Sequence, residues 1–207
     1  MNLSVFCQTI LKADTTSNKK AKYLKEDLTK FLIKNTRYPK DKTGNFSEGD
    51  VVYSFIVNKN GQLENLQLED SPDNLFSEST HEALIKLDQS WSPAKINHVL
   101  TDKSYTIVFR YRVYSNDKNA EYKSQIAGFV KRQKFDQAIK LLDIQISENP
   151  YDFKLLRERA KLKDLVGDKE GAIEDYNLYD KLNADIMLVV NVVSYGASRT
   201  ARGIGFP

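Results

Sequence analysis

"VVYSFIVNKNGQLENLQLE", residues 51–69, makes the first architectural statement of this chain. Val51, Tyr53, Phe55 and Val57 alternate with Val52, Ser54 and Ile56. Aromatic and β-branched residues at period two predict a strand. Asn60-Gly61 follows, a pair that tolerates positive φ and so predicts a tight hairpin turn. "LENLQLE", residues 63–69, reads as the return strand, with Leu66 and Leu68 on one face. Leu63 is out of phase with them, which points to a bulge.

On the N-terminal side, residues 8–22 are polar and read as a linker or disordered segment. Residues 23–35 read as an amphipathic helix, because Leu24, Leu28, Phe31 and Leu32 form one helical stripe. Tyr38-Pro39 ends it, since the residue before proline is pushed out of the α region. Residues 40–50 form a loop holding Gly44 and Gly49. On the C-terminal side, Ser71-Pro72 breaks the return strand. Residues 74–89 read as a second helix, with Leu75, Ala83, Leu84 and Leu87 as its apolar side. Trp91-Ser92-Pro93-Ala94 then leads into a polar connection, and Trp91 is the only tryptophan. "YTIVFRYRVY", residues 105–114, is the clearest strand: Tyr105, Ile107, Phe109, Tyr111 and Val113 alternate with Thr106, Val108, Arg110, Arg112 and Tyr114. The order helix, strand, strand, helix, strand predicts an α+β domain over residues 23–114, a three-stranded antiparallel sheet carrying two helices.

Residues 115–120 read as a polar linker and residues 121–195 as helical. Ala138 and Ala172 lie 34 residues apart. A 34-residue period with a small residue at each close helix contact is the mark of helix-turn-helix repeats. The run Met187 to Val193 is read as a capping helix, and residues 196–207 as a tail without repeat character.

The chain has 207 residues and a net charge of +3, with its charges interspersed, so its surface reads as ordinary solvated surface and no nucleic-acid partner is expected. No apolar run approaches the ~20 residues that a membrane helix needs. Cys7 is the one cysteine, which excludes an internal disulfide. It sits in "MNLSVFCQ", which admits two readings: the end of a signal segment cleaved before Gln8, with Val5 and Cys7 at the small positions, or a plain tail. An acylated cysteine fits Ser4-Val5-Phe6 less well. The expected location is the periplasm or cell envelope, with the cytoplasm left open.

The second half resembles tetratricopeptide repeats. Tyr122, Phe129, Phe135, Ala138 and Pro150 take the pattern's positions in the first repeat, and Leu156, Ala160, Gly167, Ala172, Tyr176 and Tyr179 match it in register in the second. Ile126, Gln133 and Ala184 depart from the pattern, at a small residue, a turn glycine and a closing proline. The first half resembles the TonB C-terminal domain, through Tyr38-Pro39, Gly49-Asp50-Val51, Phe55 and Val57, Gly61, Ala83-Leu84, Trp91-Ser92-Pro93-Ala94 and Ile107 to Phe109. The resemblance covers about residues 23–114. It implies a last strand at a sheet edge that accepts an extended peptide by β-augmentation. Tyr105, Thr106, Val108, Arg110 and Arg112 are then the partner-binding candidates, with the two arginines favouring an acidic peptide. The competing reading is that these charges guard an edge against aggregation.

No catalytic, cofactor or metal site is expected. His81 and His98 lack ligand spacing. Gly203-Ile204-Gly205 sits in a tail and not after a strand. Glu69-Asp70 and Glu174-Asp175 read as solvated surface. Trp91 reads as core, closing a helix against the sheet, and Pro93 as stiffening the entry to the last strand. The resulting expectation is a non-enzymatic interaction module or adaptor of the bacterial envelope, with protein or peptide partners that include outer-membrane or other envelope proteins. TonB-type energy transduction for outer-membrane transport is the alternative, which needs an anchor and a proline-rich spacer that this sequence, with five prolines, does not show. An enzyme with an unrecognised site is the third reading. Oligomeric state is not legible.

Overall fold

A computed structural model of the chain describes residues 18–40, 47–87, 89–113 and 118–194. Cys7, Gly44, Tyr114 and residues 196–207 lie outside them, as do residues 1–17 of the expected tail and 115–117 of the expected linker. The elements run β1 (Lys22–Tyr23), α1 (Leu28–Asn35), β2 (Gly49–Val57), β3 (Leu63–Asp70), α2 (Asn74–Leu84), β4 (Trp91–Ser92), β5 (Ala94–Ile96), β6 (Val99–Thr101) and β7 (Lys103–Val113). Then come α3 (Lys118–Lys131), α4 (Phe135–Glu148), α5 (Lys154–Val166), α6 (Lys169–Asp185) and β8 (Ile186–Ser194).

β2 and β3 form the expected hairpin. Its turn is longer than Asn60-Gly61 alone. Asn58 Oδ1 accepts from the N–H of Asn60 at 2.9 Å and of Gln62 at 3.0 Å, so Asn58 cradles the loop. Gly61 takes a φ of +78°, and a Cβ there would run into the carbonyl oxygen of Trp91. The hairpin tip and the Trp91 stretch therefore meet at a residue that has to be glycine. The bulge is also present: the pairing slips between Ser54 and Ile56, and Asn65 sits at φ +51°. The slip lets both Leu63 and Leu66 pack on the core, while Leu68 stays 47% exposed.

The helices begin where side chains cap them. Asp27 accepts from the N–H of Lys30 at 2.9 Å, so α1 starts at Leu28 and not at Tyr23. Residues 18–23, expected as linker and helix start, are extended instead: Lys19 bridges Lys95 and β1 pairs with β4. Leu24 is consequently exposed and off the helical stripe. Asp73 accepts from Leu75 and Phe76 and caps α2. Leu75, expected on the buried side, faces solvent, and Phe76 takes its place in the core. The polar connection after Ala94 is a β5–β6 hairpin, turned by Asn97 and His98, both at positive φ.

The sheet is four-stranded, not three, in the order β3-β2-β7-β8. β2 and β7 pair antiparallel without a slip from Gly49–Tyr111 to Val57–Lys103. On one face Val51, Tyr53, Phe55 and Val57 meet Tyr105, Ile107, Phe109 and Tyr111, and α1 and α2 contribute Leu32, Phe76, Ala83 and Leu84 to the same core. The aromatic packing is dense. Trp91 lies 5.2 Å from Tyr23 and 5.8 Å from Phe55 between ring centres, and Phe76 sits edge-on to Tyr111 at 4.8 Å. Trp91 is 4% exposed, which makes it core.

The fourth strand is Ile186–Ser194, which contradicts the expectation of a capping helix over Met187 to Val193. It pairs parallel with β7 from Thr106–Ile186 to Val113–Ser194. Parallel neighbours need a crossover connection, usually helical, and here the crossover is the whole of α3 to α6. The helices are thus inserted between two strands of one sheet and do not simply follow it. Each packs on the next in sequence. Ala138 on α4 and Ala172 on α6, the two small residues of the 34-residue offset, are both buried. Gly167 ends α5 in the left-handed region at φ +87°. Pro150 follows the end of α4. These features are consistent with tetratricopeptide-type hairpins.

Candidate strand-accepting edge

β7 carries all five residues expected to receive a partner, and its backbone is already paired on both sides, by β2 and β8. The expected free edge is therefore occupied by the chain itself. Tyr105 points into the core, and its hydroxyl accepts from the N–H of Ala21 at 2.8 Å. Val108 is fully buried on the opposite face, next to Val52 of β2 and Val189 of β8. Thr106 pairs with Ile186, where the parallel register slips.

Arg110 and Arg112 share a face, as period two demands. Both are engaged with Asp50 of β2. Arg112 Nη1 lies 2.9 Å from Asp50 Oδ1 on β2, and it donates to the carbonyls of Gly49 and Tyr111. Arg110 Nε lies 3.7 Å from the same oxygen, and Arg110 is 8% exposed. Two guanidinium groups thus face one carboxylate. Among the described residues, Arg110 Nε and Nη2 are buried without a hydrogen-bond acceptor.

The outer strands are now β3 and β8. They differ in chemistry. β3 ends in Glu69-Asp70, is interrupted by its bulge, and is mostly exposed. β8, IMLVVNVVS, has no charged residue and no proline over nine residues. Long, uncharged edges are what other strands pair with. β8 is held from the sheet's core side: Val190 is fully buried, and Met187, Leu188 and Val192 pack on the aromatic cluster. Lys20 Nζ donates to the carbonyl of Ile186 at 3.0 Å and ties the start of the domain to the start of this strand. Burial lowers the Lys20 pKa below its ordinary value, Lys103 adds to this, and Asp185 opposes it.

The match to known proteins falls on the sheet. The family described as Gram-negative bacterial TonB protein C-terminal matches residues 34–113. These residues are a TonB C-terminal domain. No curated protein and no solved structure matches the chain significantly. The matched residues end at Val113, the last residue of β7, so β8 and the helical crossover lie beyond them. The landmarks of the TonB C-terminal domain hold its parts together. The Tyr38 hydroxyl donates to the carbonyl of Ser47, and burial, with Glu48 adding to it, pushes its pKa up to about 12. Tyr38 also stacks edge-on to Tyr111 at 5.4 Å. A Cβ on Gly49 would come within 2.5 Å of Pro72 Cγ.

His81 stacks on Tyr53 at 6.0 Å and His98 lies in the β5–β6 turn, so the fold keeps the two apart in role. Among the described residues, no group of three or more His, Cys, Asp or Glu side chains could hold a metal ion, and no helix is long and apolar enough to cross a membrane. Sequence reasoning missed Asp175. Glu174 is exposed as expected, but Asp175 is 4% exposed. Arg159 grips it with Nε at 2.8 Å and Nη2 at 2.6 Å, and Lys163 adds a contact at 3.0 Å. Arg159 Nη1 reaches Asp143 at 2.7 Å. Burial alone would raise the Asp175 pKa, but the hydrogen bonds from Arg159 and Lys163 outweigh it and hold the carboxyl below its ordinary value. Arg159 and Asp175 are 16 residues apart on successive helices, a separation that no local motif signals.

Proposed function

We propose that the chain is a non-enzymatic protein-interaction module of the bacterial cell envelope that works in the periplasm and takes partner strands at the outer edge of β8. The observation that carries this reading is a TonB C-terminal domain whose sheet ends in a nine-residue strand without charge or proline. Backbone N–H and C=O groups on the outer side of β8 supply affinity, and alternate side chains, exposed Asn191 and Val193 among them, read the incoming strand. The helical hairpins add a second, smaller surface.

A second reading is favoured by β8 lying beyond the family match. There a partner strand replaces β8 on β7, and Tyr105 to Arg112 become the receiving positions after all. A double variant, Val108→Cys with Val189→Cys, joins neighbours of the β7–β8 register and separates the two. A photoreactive residue at Val193 should cross-link an envelope protein, and one at exposed Ile173 of α6 should not. If the locked double variant keeps that cross-link, docking is on the outer edge; if it loses it on oxidation and regains it on reduction, exchange is the mechanism. Equal cross-linking from Val193 and Ile173 defeats both. TonB-type energy transduction is the remaining alternative, and loss of outer-membrane uptake on deleting the gene would favour it over an adaptor.

A further inference from the structure

Behind the sheet, on the face away from the aromatic core, lies an open groove of about 450 Å³ between β7–β8 and the helices. That volume falls within the ~300–1,000 Å³ usual for small-molecule sites. Its walls come from distant parts of the chain: Arg110 of β7, Lys123 of α3, the turn Tyr151 to Lys154, Asn183 of α6, and β8. Lys20, Arg110, Lys123 and Lys154 bring positive charge, and Asp152 is the acidic residue in the lining. Among the described residues, Lys123 and Lys154 have no carboxylate within 4.0 Å, and both are exposed. At the inner wall Arg110 shares Asp50 with Arg112 and leaves Nε and Nη2 without acceptors. A buried, incompletely compensated guanidinium is costly, and a nearby anion relieves it. The remaining wall is apolar, with Phe153 and Val189.

We propose that this groove binds a small amphiphilic anion, its carboxylate or phosphate head set among Lys123, Lys154, Lys20 and Arg110 and its apolar part on Phe153 and Val189. Binding the head joins the crossover helices to the sheet, since Lys123 and Lys154 belong to the former and Arg110 to the latter. The site lies on a sheet face and not at the outer edge of β8, so it is compatible with docking at that edge, whereas exchange of β8 for a partner strand would remove one of its walls.

Calorimetric titration of the full chain tests this with decyl phosphate, decanoate, inorganic phosphate and decyltrimethylammonium. The expected result is saturable one-to-one binding of a decyl anion, weaker binding of inorganic phosphate, and none of the cation. Binding of decyl phosphate alone assigns a phosphate head; binding of both anions assigns a general anion site. The charge-reversed variant Lys123→Glu/Lys154→Glu should weaken binding by about tenfold or more, as loss of charge-assisted contacts implies, with an unchanged thermal midpoint. Absence of anion binding, equal binding of the cation, inorganic phosphate as tight as decyl phosphate, or an unaffected double variant overturns the proposal.

Discussion

The sheet and the helices of this chain are held together in opposite ways. The sheet has a large aromatic core in which Tyr23, Phe55, Phe76, Trp91, Tyr105 and Tyr111 pack across strands and helices far apart in sequence. The helical crossover has a thin core, centred on Ala138, Leu142, Leu155 and Leu162. It compensates with a buried ionic cluster, Asp175 with Arg159 and Lys163. Hydrophobic burial is nearly independent of pH and insensitive to direction, whereas an ionic cluster depends on both. The two parts should therefore respond differently to the same perturbation, and β8, which follows the helices in sequence but belongs to the sheet in space, links them.

The largest effect should come from removing that link. A chain ending at Asp185 exposes the core side of β7 and loses the burial of Ile186 and Val190 and the packing of Met187, Leu188 and Val192. At about 1.5 kcal/mol or more for each well-buried side chain, the sheet should lose about 5 kcal/mol. Urea denaturation followed by Trp91 fluorescence reads this, because the only tryptophan lies in the sheet's core. An unchanged midpoint would mean that β8 is an ornament on a self-sufficient three-stranded sheet.

Trp91→Ala comes next, at about 4 kcal/mol, the usual cost of deleting a buried large aromatic. Circular dichroism should show the strand signal melting earlier while the helical signal moves less. If both move together, the parts unfold as one unit.

Asp175→Ala should cost about 3 kcal/mol, since removing one partner leaves buried cations uncompensated. Here the helical signal should move first. The same cluster gives the native chain an acid-sensitive term. The folded Asp175 pKa lies below the ordinary value of 3.8, so its contribution is complete above that value and is lost as pH falls through the folded pKa. Asp175→Asn should flatten the dependence of the helical melting temperature on pH below 4.

The smallest effect is a gain. Gln133 sits in the α3–α4 turn at φ +55°, where the tetratricopeptide pattern has glycine. Left-handed geometry costs a side-chain-bearing residue about 1 kcal/mol. Gln133→Gly should recover about that much in a thermal melt of the helices, unless the lost backbone restriction in the unfolded chain cancels it.

Much of this was legible from residues alone. Residues 51–57, 63–69 and 105–114 announced themselves as strands through period two, and the helical repeats through the 34-residue offset of Ala138 and Ala172. Bounds slipped where capping outweighed the apolar pattern, as at Asp27, which displaced the start of α1 from Tyr23 to Leu28. Thr80 was missed as a core residue because a hydroxyl reads as surface; its burial depends on Tyr111, whose hydroxyl lies 2.8 Å away and 31 residues on. The surroundings of the candidate strand were hidden for a similar reason. Arg110 and Arg112 read as exposed charges, and only the register of β2 with β7 sets Asp50 beside them.

Local preference, then, determined that residues 51–57, 63–69 and 105–113 are strands and that the first two form a hairpin, and the family resemblance set Trp91 and the Tyr38-Pro39 stretch in one domain. The partner of "IMLVVNVV" was decided by tertiary structure. Its β-branched residues favour a strand, and its hydrophobicity, broken only at Asn191, suits one in a parallel pair, yet a short apolar run reads equally as the end of a helical repeat. Choosing between them requires knowing that four helices return the chain to β7, about 80 residues after Thr106. That pairing is non-local, so no window of sequence contains it.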